Sequence, residues 1–366
     1  MGRFEYEFFQ PGSVLNSEQP EKEPVIKYKE VECTVPSRFG SFLIWPSKFG
    51  NPSRMGLYDV GVIDFSVAAF TTAKVSLVEG GGVKVDQNSD RPLVAEHAAK
   101  IIRNGIGMEQ FGLRVEAHND FREKHVGLAS AAAVQHAVAY ATNELFGSPF
   151  SSEQLIKYLP QNYGEETSKP GLLAMEPSTG GVGAVSLFGG GVVALGEGLR
   201  VLGKVSIPED LVYVLGVPYI NRQDYIGEME AVFQKVFVYY QKLDAEWSGV
   251  KEKVVSEIVI PAMNRGDFKT VGEVVFDYTL NRYGDIQTSI DMLCPGVGMI
   301  EMMNSLASLR FNQEVVTAFV SSVGPNLVIL TSNPKIADDH FRDLGIDAIY
   351  HFKPDNKGAT FKYKLL

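Results

Sequence analysis

Apolar residues recur at helical spacing through Val134, Ala137, Val138, Ala141 and Leu145, and Gly147 is placed to stop the run. This pattern predicts a helix that begins near Ser130. Upstream, Gly112 to Ala117 alternates apolar and polar residues, as a half-buried strand does. The same alternation predicts strands over Ile26 to Val35, Asp59 to Val67 and Ala73 to Glu79, the last ending at the turn Gly80-Gly81-Gly82. Leu93 to Arg103 reads as a helix with Val94, Ala98, Ile101 and Ile102 on one face. Ser151 to Leu159 reads as a short helix, with Ser151 as N-cap and Glu153 in its first turn.

The second half mixes the two periods. Leu211 to Tyr219 is a predicted buried strand. Glu228 to about Trp247 is a predicted helix whose stripe of Met229, Val232, Phe233, Val236, Phe237, Tyr240 and Leu243 belongs in a core. Helical stretches follow Pro261. Then come a strand over Asn326 to Ser332, a helix over Ile336 to Leu344, and strands over Asp347 to Phe352 and Ala359 to Tyr363. Helices beside a mainly antiparallel sheet make an α+β protein. With 366 residues, two units are expected. Residues 1–25 read as a polar arm or linker, 26–207 as an N-terminal domain and 208–366 as a C-terminal domain. The glycines from Gly180 to Gly191 suit either two glycine-punctuated hairpin strands or a backbone wall that approaches a bound sugar.

Lys and Arg total 34 against 44 Asp and Glu, a net charge of −10, which argues against nucleic acid as a partner. No segment is long and apolar enough to cross a bilayer, and no signal-peptide core opens the chain, so no membrane association and a cytoplasmic location are expected. Two cysteines, Cys33 and Cys294, are too few for a disulfide framework or a cysteine zinc site. The six histidines show no compact metal-ligand spacing, and no GxSxG elbow is present.

The chemistry concentrates at Lys124 to Ala133. There a strand and a loop enter a helix whose first turn is nearly bare of side chains. Exposed N–H groups at a helix N-terminus, aided by its dipole, bind anions. Ser130 adds a hydroxyl for a phosphate or its Mg²⁺. A helix packed tightly on a sheet needs the same small residues, and local composition does not choose between the two. His125 suits either a phosphate contact or a backbone partner. Asp64 lies between Ile63 and Phe65, an unusual place for a solvated aspartate. Arg38, Arg54, Lys124 and Arg222 are candidate phosphate clamps, and a surface role suits each equally well.

These residues also carry a resemblance. HVGLASAAA (His125 to Ala133) resembles the phosphate-binding motif PxxxGLGSSAA of the GHMP kinase superfamily, with Ala129 where the motif has Gly. If that position needs positive φ, the methyl group is costly. Pro36-Ser37-Arg38-Phe39 resembles the opening PSRIH of the β-ribofuranosylaminobenzene 5′-phosphate synthases, a non-kinase branch. Lys124 to Ser130 is similar to their SHVGLGS. Ser178 to Gly196 resembles their glycine-rich stretch, Ile260 to Phe268 is similar to a further segment, and Ser321 to Leu330 resembles their SSWGPTVYA. The motifs keep their order over residues 31 to 332. GVIDFSVAAF departs from the glycine-rich string these synthases carry.

The resemblance implies a two-domain GHMP-type fold: an N-terminal α+β domain with the phosphate loop and a ferredoxin-like C-terminal domain. It implies an enzyme that joins phosphoribosyl diphosphate to an aromatic or heteroaromatic carboxylate. The product is a C-riboside, with loss of CO₂ and diphosphate and with Mg²⁺ as cofactor. ATP-dependent phosphorylation of a small alcohol is the competing activity, and a degenerate binding protein is a third. On this reading Lys124, Gly127, Leu128, Ala129, Ser130, Ala131 and Ala132 bind diphosphate, and Ser130 also meets the metal. Ser37, Arg38, Ser178, Thr179, Gly180, Gly181, Arg222, Ser321 and Ser322 face the ribose phosphate or substrate. His125 and Asp64 are the catalytic candidates, and a homodimer is expected.

Overall fold

The computed structural model describes residues 7–50, 60–121, 123, 126–167, 169–176, 178–189, 191–218, 229–321 and 325–366. Lys124, His125, Arg54, Arg222 and Ser322 lie outside the described residues.

A long antiparallel hairpin organises the N-terminal part. Strand β2 (Tyr28–Leu43) pairs with β3 (Val62–Val78). The sequence pattern breaks this β3 into two pieces, because its inward face changes partway along. Register shifts at Pro36/Ser37 and Gly40/Phe42 cause the change. Val31, Cys33, Val35, Ala73 and Val75 face one core, whereas Phe39, Phe42, Phe65 and Val67 face another. The bulges thus place Arg38 and Asp64 beside each other within the sheet.

Strands β4 (Val83–Val85) and β5 (Gly112–Asn119) extend this sheet on one side, with helix α1 (Pro92–Gly105) between them. Helix α2 (Ser130–Leu145) follows and buries nearly its whole length, which suits its run of alanines. Helix α3 (Ser152–Gln161) starts at the expected Ser151 cap, and the reciprocal partner in the capping box is Gln154 rather than Glu153. Two short strands, β6 (Gly164–Glu166) and β7 (Leu173–Met175), form a small separate sheet. Its third member is β1 (Phe8–Phe9), from the arm.

The glycine-rich stretch differs from both expectations. Gly181–Phe188 is a helix, α4, and only Val192–Leu195 (β8) and Val201–Val205 (β9) form a hairpin. Gly189 and Gly191, at the end of this stretch, face the chain's own C-terminal segment. A Cβ on Gly191 would lie 2.4 Å from Asn356 Oδ1, and one on Gly189 would lie 2.9 Å from Lys357 O.

Strands β10 (Val212–Val217), β11 (Val315–Phe319), β12 (Leu327–Thr331) and β13 (Ala348–Phe352) make an antiparallel sheet in the order β11-β12-β10-β13. Helix α5 (Met229–Val254) and shorter helices lie between β10 and β11, and helix Pro334–Asp343 lies between β12 and β13. This is the expected ferredoxin-like arrangement. One strand departs from expectation. Strand β14 (Thr360–Leu365), assigned from sequence to the C-terminal unit, crosses back and pairs with β2. The two units also share apolar core. Phe65 stacks on Phe319 at 5.1 Å between ring centres, and Phe39 meets Tyr213 edge-on at 5.2 Å.

Candidate functional site

The turn before α2 crosses the seam between the units. Val126 and Leu128 are buried in the core shared with the C-terminal sheet, while Ala131 and Ala132 are buried against the N-terminal core. Side chains on both sides therefore hold the backbone from Gly127 to Ser130. Gly127 has φ +82°, and a Cβ there would lie 2.3 Å from Asn326 Nδ2 and 2.6 Å from Ser321 O. Ala129 occupies the N-cap position with φ 53° and ψ 37°, the left-handed conformation, and no side chain caps the helix. The first backbone bond within this end runs from Ala133 N to Ala129 O, at 2.9 Å. An uncapped first turn directs N–H groups outward, which is the physical basis of an anion site.

The Ser321 hydroxyl, for which the resemblance implies a substrate contact, is engaged within the protein. Its Oγ accepts a bond from Gly40 N at 3.1 Å and donates to Gly127 O at 2.7 Å. Asn326 holds Ser321 in turn: Ser321 N donates to Asn326 Oδ1 at 2.9 Å, and Asn326 Nδ2 donates to Ser321 O at 2.8 Å. The result is a direct tie among the α2 turn, β2 and the loop before β12.

Gly40 leads to the second feature. A Cβ there would lie 2.3 Å from an Arg38 terminal nitrogen and 3.1 Å from Asp64 Oδ1. Arg38 Nε stands 3.4 Å from Asp64 Oδ1, an ion pair without a formal hydrogen bond. Asp64 is fully buried, and neither carboxylate oxygen has a hydrogen-bond partner. Burial pushes its pKa up to about 6, against the lowering influence of the Arg38 guanidinium. The other wall is α4: a Cβ on Gly181 would lie 2.1 Å from Asp64 Oδ2. Gly180, with φ +74°, starts that helix, and Thr179 Oγ1 accepts from Gly181 N at 3.3 Å. Ser178 immediately precedes this turn, and Ser37 is buried at the β2 bulge. Asp64 is thus enclosed by Arg38 and the start of α4, and in this conformation it lacks the exposure that proton exchange with a substrate requires.

His136 was not among the sequence candidates. It is fully buried one turn into α2, where its Nδ1–H donates to Ala132 O at 2.7 Å. Its Nε2 has no partner, and burial pulls its pKa down to about 4, with Arg38 lowering it further. Gly183 gives it space, since a Cβ there would lie 3.1 Å from Nε2. Gly181 and Gly183 therefore let the first turn of α4 rest on Asp64 and His136 together. The helical period makes His136 look like ordinary core, and only the three-dimensional packing brings it here.

The region therefore combines a bare helix N-terminus, tied through Ser321 to Gly40 of β2, with the buried Arg38–Asp64 pair that Gly40 abuts. Among the described residues no group of three His, Cys, Asp or Glu side chains is placed to hold a metal ion. Ser130, the first residue of α2, carries the hydroxyl at this helix start.

Residues 93–171 match the family described as GHMP kinases N terminal domain. No curated protein matches the sequence. Among solved structures, homoserine kinase from Cytophaga hutchinsonii is similar with TM-score 0.57 at 15% identity, covering 91% of this chain and 98% of its own. Mevalonate pyrophosphate decarboxylase from Streptococcus pyogenes gives TM-score 0.56 at 14% identity, covering 91% and 98%. Mevalonate kinase from L. major, in complex with R-mevalonate, gives TM-score 0.50 at 14% identity, covering 93% and 99%. Residues 93–171 thus resemble the GHMP kinases N terminal domain, and along nearly its whole length the chain shares the fold of these solved structures.

Proposed function

We propose that this protein is an enzyme that binds a diphosphate group at the N-terminus of α2 and transfers the ribosyl phosphate attached to it. The observation that carries the reading is Ala129. A non-glycine residue held at φ 53° in front of an uncapped helix is a strained arrangement, and such strain concentrates where backbone N–H groups serve a ligand. The acceptor on this reading is an aromatic or heteroaromatic carboxylate, as the ordered resemblance implies.

The N–H groups of the first α2 turn would receive the charge that grows on departing diphosphate. Mg²⁺ suits a site with few protein ligands when phosphate oxygens supply most of its shell, and here Ser130 would add its hydroxyl. Such an ion neutralises leaving-group charge. The bond from C1 of the ribose to the diphosphate oxygen breaks, and the acceptor carbon bearing the carboxylate attacks C1. The new C–C bond forms, the carboxylate leaves as CO₂, and its electron pair restores the aromatic ring. Arg38 would hold the ribose phosphate, with Asp64 fixing the guanidinium from behind. Excluding water and aligning the partners supplies the remainder, up to about 7–11 kcal/mol at the ideal limit.

ATP-dependent phosphorylation of a small alcohol is the second reading. The names of the structural neighbours favour it, because they are kinases and decarboxylases. Thermal unfolding with Mg²⁺ and either nucleotide or sugar diphosphate separates the two. A ligand that binds only the native state raises the melting temperature according to its affinity. Phosphoribosyl diphosphate is expected to raise it more than ATP at equal concentration. An added aromatic carboxylate of suitable shape should then release diphosphate and CO₂ in equal amounts. A strong shift with ATP, none with phosphoribosyl diphosphate, and ADP formed from a small alcohol would establish the kinase instead.

A further inference from the structure

The arm at residues 7–27 is not a free linker. Phe8 and Phe9 pair with Ala174 and Leu173 of β7, and Met175 N donates to Glu7 O at 2.8 Å. Phe9 packs on the bare face of Gly164 in β6, where a Cβ would lie 2.4 Å from its ring. Gly12 N then donates to His97 Nδ1 at 3.0 Å, while His97 Nε2–H donates to Asn162 O at 2.6 Å. Asn162 uses its whole side chain. Its Oδ1 accepts from Leu15 N at 2.7 Å and Asn16 N at 3.1 Å, and its Nδ2 donates to Asn16 O at 2.9 Å. The same Asn162 carbonyl accepts from Gln135 Nε2, on α2, at 3.1 Å. Farther along, Gln154 Nε2 donates to Gln19 O at 2.5 Å, and Val25 N donates to Phe146 O at 2.8 Å.

Two ends of this path touch the candidate site. Gln135 stands in the second turn of α2, behind the anion position. Strand β7 ends at Met175, three residues before Ser178 and four before Thr179, which opens the turn onto Asp64. Strand β7 is the middle strand of its sheet, with β6 on one side and the arm on the other. Without the arm, only a two-stranded ribbon would remain, and such ribbons are marginal in water.

We propose that the N-terminal arm is a positioning strap for the active site. By completing the β1-β7-β6 sheet it fixes residues 178–183 against Asp64 and His136, and through His97, Asn162 and Gln135 it fixes the start of α2. This rests on the reading that these two turns bind substrate. The strap contributes no group to the chemistry. It sets the distance between the α2 and α4 N-termini, and a displacement near 1 Å at such a site costs about 100-fold in rate.

The test compares the full chain with a chain that starts at Val25, with and without a synthetic peptide of residues 1–24. Hydrogen exchange at residues 173–183 is the first readout, and calorimetric binding of inorganic diphosphate with Mg²⁺ is the second. The shortened chain should keep its circular dichroism, exchange at least tenfold faster at 179–183 and bind diphosphate at least tenfold more weakly. The peptide should restore both. If the shortened chain does not fold, Phe9→Asp in the full chain replaces it, with the same expected changes. Unchanged exchange at 179–183 in whichever variant folds overturns the strap. Failure of the intact chain to bind diphosphate overturns the phosphate-site reading instead, and the exchange comparison still decides the strap.

Discussion

Ala129 carries a methyl group where the backbone is left-handed, with φ 53°. That conformation costs a non-glycine residue about 1–2 kcal/mol. Glycine would return part of the gain through its greater freedom in the unfolded chain, about 0.5–1 kcal/mol. Ala129→Gly is therefore expected to stabilise the protein by up to about 1 kcal/mol, read as a higher urea midpoint. A lower midpoint would show that the methyl group makes contacts worth more than the strain. Asp64 makes a prediction about pH. Its pKa moves from 3.8 to about 6 on folding, so the native state holds the proton more tightly than the unfolded chain. Stability from this group is complete below pH 3.8 and is lost as pH rises through about 6. His97 and His136 have the opposite sign, since burial pulls both from 6.5 to about 4; their contribution is present above 6.5 and is lost as pH falls. Comparing Asp64→Asn with the parent removes the histidines from the difference. The variant should gain stability relative to the parent between pH 5 and pH 8. An equal gap at both pH values would mean that Asp64 titrates normally.

At the scale of elements, glycines mark where helices meet other groups, and identical substitutions should have opposite effects. In Gly181→Ala the new Cβ must displace the Asp64 carboxylate or the start of α4. Such overpacking costs about 1–3 kcal/mol. Gly249 lies inside α5 with nothing within 4 Å of its missing Cβ, so Gly249→Ala should stabilise by about 0.5–1 kcal/mol. Chemical denaturation of both variants checks the pair. The same contrast explains what could be read from the sequence. Helices α1 and α2 and the Ser151 cap show in the chain because their signals are local: a 3.6-residue period, Gly147, a capping serine. The small-residue turn before α2 is legible for the same reason. The bulges at Pro36/Ser37 and Gly40/Phe42 are not, because they depend on which core each half of the hairpin meets. Nor is the tie of Gly40, Gly127 and Ser321, whose members are up to 281 residues apart. The helix at Gly181–Phe188 is hidden by its glycines, which disfavour helices in general and are needed here for contact with Asp64 and His136.

For the whole molecule, the chain's last segment clasps the N-terminal unit. Asn356 Oδ1 accepts from Ile207 N at 2.8 Å, and its Nδ2 donates to Ile207 O at 2.9 Å, against the face of Gly191. Asn356→Ala should cost about 1–3 kcal/mol by leaving those backbone groups unpaired. Diphosphate affinity should be unchanged, because the clasp is not part of the turn before α2; a large loss of affinity would place Gly189 and Gly191 at the substrate site. Beyond the clasp, β14 closes the edge of β2, and Lys362 reaches Glu32 across 330 residues of sequence. This pairing sets a timetable for synthesis. Strand β2 leaves the ribosome well before its partner, which follows about 330 residues later. At ordinary translation speeds the edge waits roughly 15–65 s, a span from 330 residues at about 5–20 per second. A strand edge that waits that long is a template for the wrong neighbour. Glu30 and Glu32, which alternate with the buried Val31 and Cys33, place charge along this waiting edge, so the nascent chain has its own defence until β14 arrives.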